Sequence, residues 1–203
     1  MGPTDVFSST PARVLTVSAA VAAVLGVVSL IGDVSATDLV GTAALAALAV
    51  LLVWAVLGRP SVEVSDGGVV LHNVLRTVTI PWPTVQRVEV GWSLVVHTTA
   101  GRWTAWAAPR SSGGAVHRRR GGRGGVDRGP DDRRADGGHG PATAEAVGAA
   151  IETRLDALRG AGYLDHADRV VAAHGLRPTV TWHASTVLAA LGLVVVAAGT
   201  RIL

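Results

Sequence analysis

Two long stretches without a charge constrain this chain more than anything else in it. Val14 to Ile31 (VLTVSAAVAAVLGVVSLI) and Leu39 to Leu57 (LVGTAALAALAVLLVWAVL) are apolar on every face of a helix, so neither has a polar side to turn toward water. At about 1.5 Å per residue, each is just long enough for the ~30 Å hydrocarbon core of a bilayer. The polar turn Gly32 to Asp38 separates them, and Gly58-Arg59-Pro60 ends the second. The spacing predicts a transmembrane helical hairpin over residues 14–57, preceded by a polar, disordered tail over residues 1–13. A cleavable signal peptide competes for the first stretch, since Val34-Ser35-Ala36 presents small residues to a peptidase. Against it, the run is long for a signal and Arg13 is the only basic residue ahead of it.

Charge sets the expected orientation. Arg13 precedes the hairpin and Arg59 follows it, whereas the turn carries only Asp33 and Asp38. The positive-inside rule then places the N-terminus and the region after Arg59 in the cytoplasm, in a multi-pass plasma-membrane protein.

From Arg59 to Arg110 the period changes to two. Val62 and Val64 alternate with Ser61, Glu63 and Ser65, and Val69, Leu71, Val78, Ile80, Leu94 and Val96 continue the pattern. Turn residues punctuate these runs at Asp66-Gly67-Gly68, Pro81-Trp82-Pro83, Gly91 and Ala100-Gly101, which predicts about six short strands between Val62 and Ala107. Residues 111–140 are almost devoid of apolar side chains and rich in arginine and glycine, the composition of a disordered linker. Structure is expected again over residues 141–176. Val147, Ile151, Leu155 and Leu158 share one helical face, Thr143 suits an N-cap, and Gly160 and Gly162 supply a stop. A short second helix follows over Asp165 to His174. Residues 182–203 predict a third, C-terminal transmembrane helix, with Trp182 as its membrane-interface anchor and Arg201 snorkelling at its far end. A re-entrant or peripheral segment is the alternative there.

Strands followed by one amphipathic helix match the order of a pleckstrin-homology (PH) fold, and several short motifs make the likeness more specific. They are Asp66-Gly67-Gly68-Val69, His72-Asn73-Val74-Leu75-Arg76, Ile80-Pro81-Trp82 with Val85, Thr98-Thr99-Ala100-Gly101-Arg102, Gly162-Tyr163-Leu164-Asp165 and Trp182-His183. With them the chain resembles the small bacterial PH-like membrane proteins of actinobacteria, of the low molecular weight protein antigen 6 type. The resemblance implies a membrane-anchored α+β protein: a hairpin, a bent antiparallel PH-like sheet with a C-terminal capping helix, and the last apolar helix. A full PH fold has seven strands. The six counted here leave the seventh missing or hidden.

Composition excludes several chemistries. Cysteine is absent, which removes disulfides and thiolate metal sites. No carboxylate pair is spaced for acid–base work, and Gly91-Trp92-Ser93-Leu94-Val95 lacks the closing glycine of a nucleophile elbow. His166 and His174 lie two helical turns apart, too far to share a metal. The expectation is a non-enzymatic protein without cofactors. No ionisable residue sits midway along either long apolar stretch, which argues against a transport path. The first strand turn, Ser65 to Gly68, is short and acidic where phosphoinositide-binding PH domains are basic.

Two candidate surfaces remain. Trp103 and Trp106 lie three residues apart on one strand and so face opposite ways, which leaves one exposed unless a partner or the membrane covers it. This points to a protein-interaction or assembly module, its partner another protein or a second copy. Arg118, Arg119, Arg120 and Arg123 in the linker form the alternative, a sensor of anionic lipid headgroups on the bilayer. Nucleic acid is not the expected partner: the two Arg-Gly-Gly repeats have no aromatic among them to stack on bases.

Overall fold

Alternation in the sequence becomes alternation in burial. Along Ser61–Ser65, Val62 and Val64 are buried while Ser61, Glu63 and Ser65 are half-exposed. The computed structural model describes residues 4–109, 139–141 and 143–202. In chain order its elements are β1 (Asp5–Ser8), α1 (Thr10–Ser29), α2 (Ala36–Val53) continued by one π-helical turn (Trp54–Gly58), β2 (Ser61–Ser65), β3 (Gly68–His72), β4 (Arg76–Ile80), a 3-10 turn (Trp82–Thr84), β5 (Val85–Val90), β6 (Ser93–Thr98), β7 (Gly101–Pro109), β8 (His139–Pro141), α3 (Ala144–Gly160), α4 (Ala167–His174), β9 (Thr179–Trp182) and α5 (Ala184–Gly199). They divide into two compact units. One holds the residues up to Ser8, Ser61–Asn73 and Thr77–Thr181; the other holds Ser9–Pro60, Val74–Arg76 and Trp182–Leu203.

The first unit is built on two sheets, with strand orders β8-β1-β2-β3-β4-β9 and β5-β6-β7. Strands β1 to β4 pair antiparallel in succession, as do β5, β6 and β7, whereas β8 lies parallel to β1. This is a PH-like antiparallel architecture closed by a helix. The six strands expected between Val62 and Ala107 are β2 to β7. Three further strands, β1, β8 and β9, join the first sheet, and of these Asp5–Ser8, expected to be disordered tail, pairs with β2 in the register Asp5↔Val64 to Ser8↔Ser61. Phe7 explains why those residues are ordered, because its ring is buried in the core of the sheets.

Helix α3 covers that core with the face expected of it. Val147 and Ile151 are fully buried, Leu155 nearly so, and Leu158 packs alongside. The Thr143 hydroxyl accepts the amide of Ala146 at 3.2 Å, capping the helix and satisfying one of its unpaired first-turn donors. Gly148 lets α3 lie close on the sheet, since a Cβ there would stand 2.6 Å from Val90 Cγ2. Gly68 is required for a different reason. Its φ of +149° is accessible only to glycine, and a Cβ would strike the carbonyl of Ile80 on the neighbouring strand.

The second unit consists of α1, α2 and α5. Helix α1 starts four residues earlier than the charge-free run because Ser9 caps it, accepting Ala12 N at 3.4 Å, with Pro11 in the first turn. Ser35 caps α2, accepting Asp38 N at 3.1 Å while donating to its carboxylate at 2.7 Å. Thr10–Ser29 (20 residues) and Ala36–Gly58 (23 residues) are long and apolar enough to cross a membrane. The third span expected over residues 182–203 is not supported. Trp182 is drawn into β9 and the helix stops at Gly199, so α5 has 16 residues and is about 24 Å long, short of a ~30 Å core. Helix α5 instead runs antiparallel along α2: Thr186 near its start meets Arg59, and Thr200 at its end meets Gly41, where a Cβ would collide with the threonine hydroxyl.

Candidate functional site

Within the sheet unit, strand geometry decides which tryptophans are presented outward. On β7, Ala105 and Ala107 face the core, while Thr104 and Trp106 point away from it. Trp103 takes the inner side. It is half-buried against the core, with its indole N–H donating to Thr98 Oγ1 at 3.2 Å. Trp106 is left 65 % exposed, so of the two candidates it alone offers a broad apolar surface. A second large aromatic emerges at the β5–β6 turn, where Trp92 is 88 % exposed.

The backbone under Trp106 is held by a residue that sequence patterning did not single out for this role. Asn73 follows β3, is only 6 % exposed, and bridges to β7 with both ends of its amide. Its Nδ2 donates to the carbonyl of Thr104 at 3.0 Å, and its Oδ1 accepts the amide of Trp106 at 2.8 Å. One side chain thus stands in for a neighbouring strand along β7, satisfying two backbone groups two residues apart. Replacing Asn73 by alanine is expected to leave both groups without their partner and to cost about 2–3 kcal/mol. The check is thermal unfolding of the detergent-solubilised chain, with an unchanged midpoint counting against the bridge.

Trp82 is a core plug, as its place between two prolines suggests: it is 1 % exposed and its indole N–H donates to the carbonyl of Ser65 at 2.9 Å. The acidic turn after β2 has a structural partner, Arg154 of α3, which forms an ion pair with Asp66. Two histidine–glutamate contacts also decorate the strands, His97 to Glu89 at 2.9 Å and His72 to Glu63 at 3.2 Å. Among the described residues no group of three or more His, Asp or Glu side chains is placed to hold a metal. His166 precedes α4 and His174 ends it, both exposed. The candidate lipid-contact residues Arg118, Arg119, Arg120 and Arg123 lie outside the described residues.

In the helical unit, Trp182 is 64 % exposed and carries the Arg76 guanidinium over its ring at 5.8 Å. A second such pair stands at the end of α2, where the Arg59 guanidinium lies 5.2 Å from the Trp54 ring. Sequence reading found Trp182 from its position before an apolar run. It had no local signal for either arginine partner, since each pair depends on chain segments brought together by folding.

A family profile described as Bacterial PH domain matches residues 59–121. That span takes in β2 to β7 with the turns between them, and so Asn73, Trp82 and Trp106. No curated protein and no solved structure matches the chain.

Proposed function

We propose, taking similarity to a bacterial PH-type domain as the premise, that this chain is a non-enzymatic membrane-anchored interaction module. Its helical hairpin resides in the plasma membrane and its sheet unit, on the cytoplasmic side, engages another protein or a second copy through Trp106. PH-type domains are in general non-catalytic binding modules, which makes a binding role the natural starting point. The observation that carries the reading is Trp106 itself: a large apolar side chain held outward on a strand whose backbone Asn73 fixes from the other side. A rigid, exposed indole loses little conformational entropy when a partner covers it.

Anchoring is supported by how the hairpin is connected. Ser8 and Ser61 are register partners in neighbouring strands, and everything between them is hairpin and its caps. Strands β1 and β2 must therefore share one side of a bilayer, so the helices between them cross it together or not at all. Arg13, Arg59 and Arg76 belong to one end of the helical unit and Asp33 and Asp38 to the other, a polarity that favours the arginine end in the cytoplasm. Cleavage after Ala36 would remove β1 and its buried Phe7, which speaks against a signal peptide.

Photo-crosslinking in intact membranes tests the function. A photoreactive residue at position 106 is expected to trap a polypeptide, and the same residue at the exposed Glu152 of α3 is not. Equal labelling from both positions, or none from position 106, would remove Trp106 as the contact surface.

A further inference from the structure

The sheet β5-β6-β7 has two edges, and they are finished differently. Along β7, Asn73 stands in for a further strand by bonding the Thr104 carbonyl and the Trp106 amide. Along β5 (Val85–Val90), β6 is the only strand neighbour among the described residues, and no backbone bond from β5 to another element is found among them. The helix side of that edge is open as well: a cavity of about 300 Å³ separates Arg87 and Val88 from Glu152, Leu155 and Asp156 of α3. A bare edge attracts another strand, and charged side chains are the usual guard against it. On β5 those charges are Arg87 and Glu89. Both are exposed and, two residues apart, they share one face, while Val88 between them packs against the core. Opposite signs at that spacing do not repel a second copy of the strand; they match it.

We infer that β5 pairs with β5 of a second copy of this chain, antiparallel and centred on Val88. In that register Arg87 of each copy stands opposite Glu89 of the other, and Val88 opposite Val88, around a two-fold axis. Cross-strand pairs of opposite charge stabilise a ladder, and like charges directly opposed weaken it. Sliding the strands by two residues sets Arg87 against Arg87 or Glu89 against Glu89, so charge selects one register. Sliding by one turns Val88 of the second copy to the outer face. Glu89 accepts or meets His97 Nε2 through one carboxylate oxygen at 2.9 Å; its side chain is 60 % exposed, and the other oxygen faces no printed competitor among the described residues. The extra residue Gln86, where the β5–β6 register shifts, ends the ladder on both sides and keeps it short. On the core side, the open cavity beside Leu155 gives Val88 of the second copy its room. The contact does not involve Trp106, which stands on β7 at the opposite edge of the sheet.

Cysteine is absent from the chain, so cross-linking of full-length copies in intact cells reads the register directly. Chains carrying Arg87→Cys and chains carrying Glu89→Cys, with tags of different size, are expressed together and mildly oxidised. Directly opposed residues have Cα atoms about 4.5–5.5 Å apart, within reach of a disulfide, whereas positions offset by two are roughly 7–8 Å apart, beyond it. The mixed disulfide is expected to exceed either like-with-like product by about tenfold or more. Both positions are exposed, so neither change disturbs the core. Charge is tested by co-purifying two differently tagged copies. Arg87→Glu in both copies, or Glu89→Arg in both, should lower recovery about tenfold, as two attractions turned to repulsions imply. Arg87→Glu copies expressed with Glu89→Arg copies should recover each other, because opposite signs then face again. Absence of the mixed disulfide would overturn the inference, as would like-with-like products of equal abundance or recovery that ignores the single swaps. Trp106→Ala is expected to leave the mixed disulfide intact. Its loss there would move the contact to the Trp106 surface and overturn pairing through β5, whereas its retention leaves the role proposed for Trp106 to its own photo-crosslinking test.

Discussion

Substituting Trp82 by alanine is expected to destabilise the sheet unit by about 3–5 kcal/mol, a large part of the stability of an ordinary domain. Two losses combine. The indole is 1 % exposed and among the largest fully buried side chains, so its removal leaves a cavity between the flanking prolines that the backbone cannot easily close. Its N–H is also the donor to the Ser65 carbonyl, at the turn where β2 passes into β3. Trp82→Phe isolates the second loss, keeping a ring but no donor, and should cost about 1–2 kcal/mol. Absence of cysteine in the natural chain offers a clean readout. A cysteine placed at the buried Val64 reacts with a thiol reagent only when the sheet opens. Its labelling should accelerate by about two to four orders of magnitude in Trp82→Ala, because local opening tracks that free energy. Unaltered labelling would mean that Trp82 is not holding the core.

Phe7→Ala is expected to be nearly as damaging, at about 3 kcal/mol, although the residue stands within the first few of the chain. Its ring is 8 % exposed and packs in the same cluster as Val62, Val64 and Trp82. Strand β1 also covers the edge of β2, which without it would present unpaired backbone groups to solvent or to another chain. Removing the residues ahead of Thr10 should therefore give a protein that aggregates through its sheet. The same Val64→Cys labelling measures the substitution, and size-exclusion chromatography in detergent measures the truncation. Intact mass of the chain isolated from cells adds a second check: it should include Phe7. A mature form beginning after Ala36 would contradict a structural role for β1.

Legibility in the sequence followed the range of the interactions concerned. Strands β2 to β7 and the buried face of α3 announce themselves because each pattern is local. A period of two or of 3.6 is carried by side chains a few residues apart, and the turns between them by glycine and proline. Thr143, Ser9 and Ser35 act within three residues of what they cap. Trp106 was half legible: the three-residue offset from Trp103 required one of the pair to be exposed, but only packing against Thr98 and the core chose Trp103 for the inner side.

What local pattern cannot carry, the tertiary structure decided. Asp5–Ser8 is four residues long with no period to read. It is a strand because β2, on the far side of the whole hairpin, supplies its hydrogen-bond partners and a pocket for Phe7. The length of α5 was decided in the same way: Trp182 has the composition of a helix anchor, yet pairing in β9 claimed it and shortened the helix. Asn73 looks like a turn residue until β7 lies beside it, and Arg59 looks like an isolated charge until α5 brings Thr186 to it. Apolarity and periodicity along the chain determined which segments avoid water and which become strands. Which distant segments meet was fixed only by the closing of the sheets and the packing of the helices. Contacts between residues far apart in sequence form only when the fold brings them together, so they leave no periodic trace in the sequence.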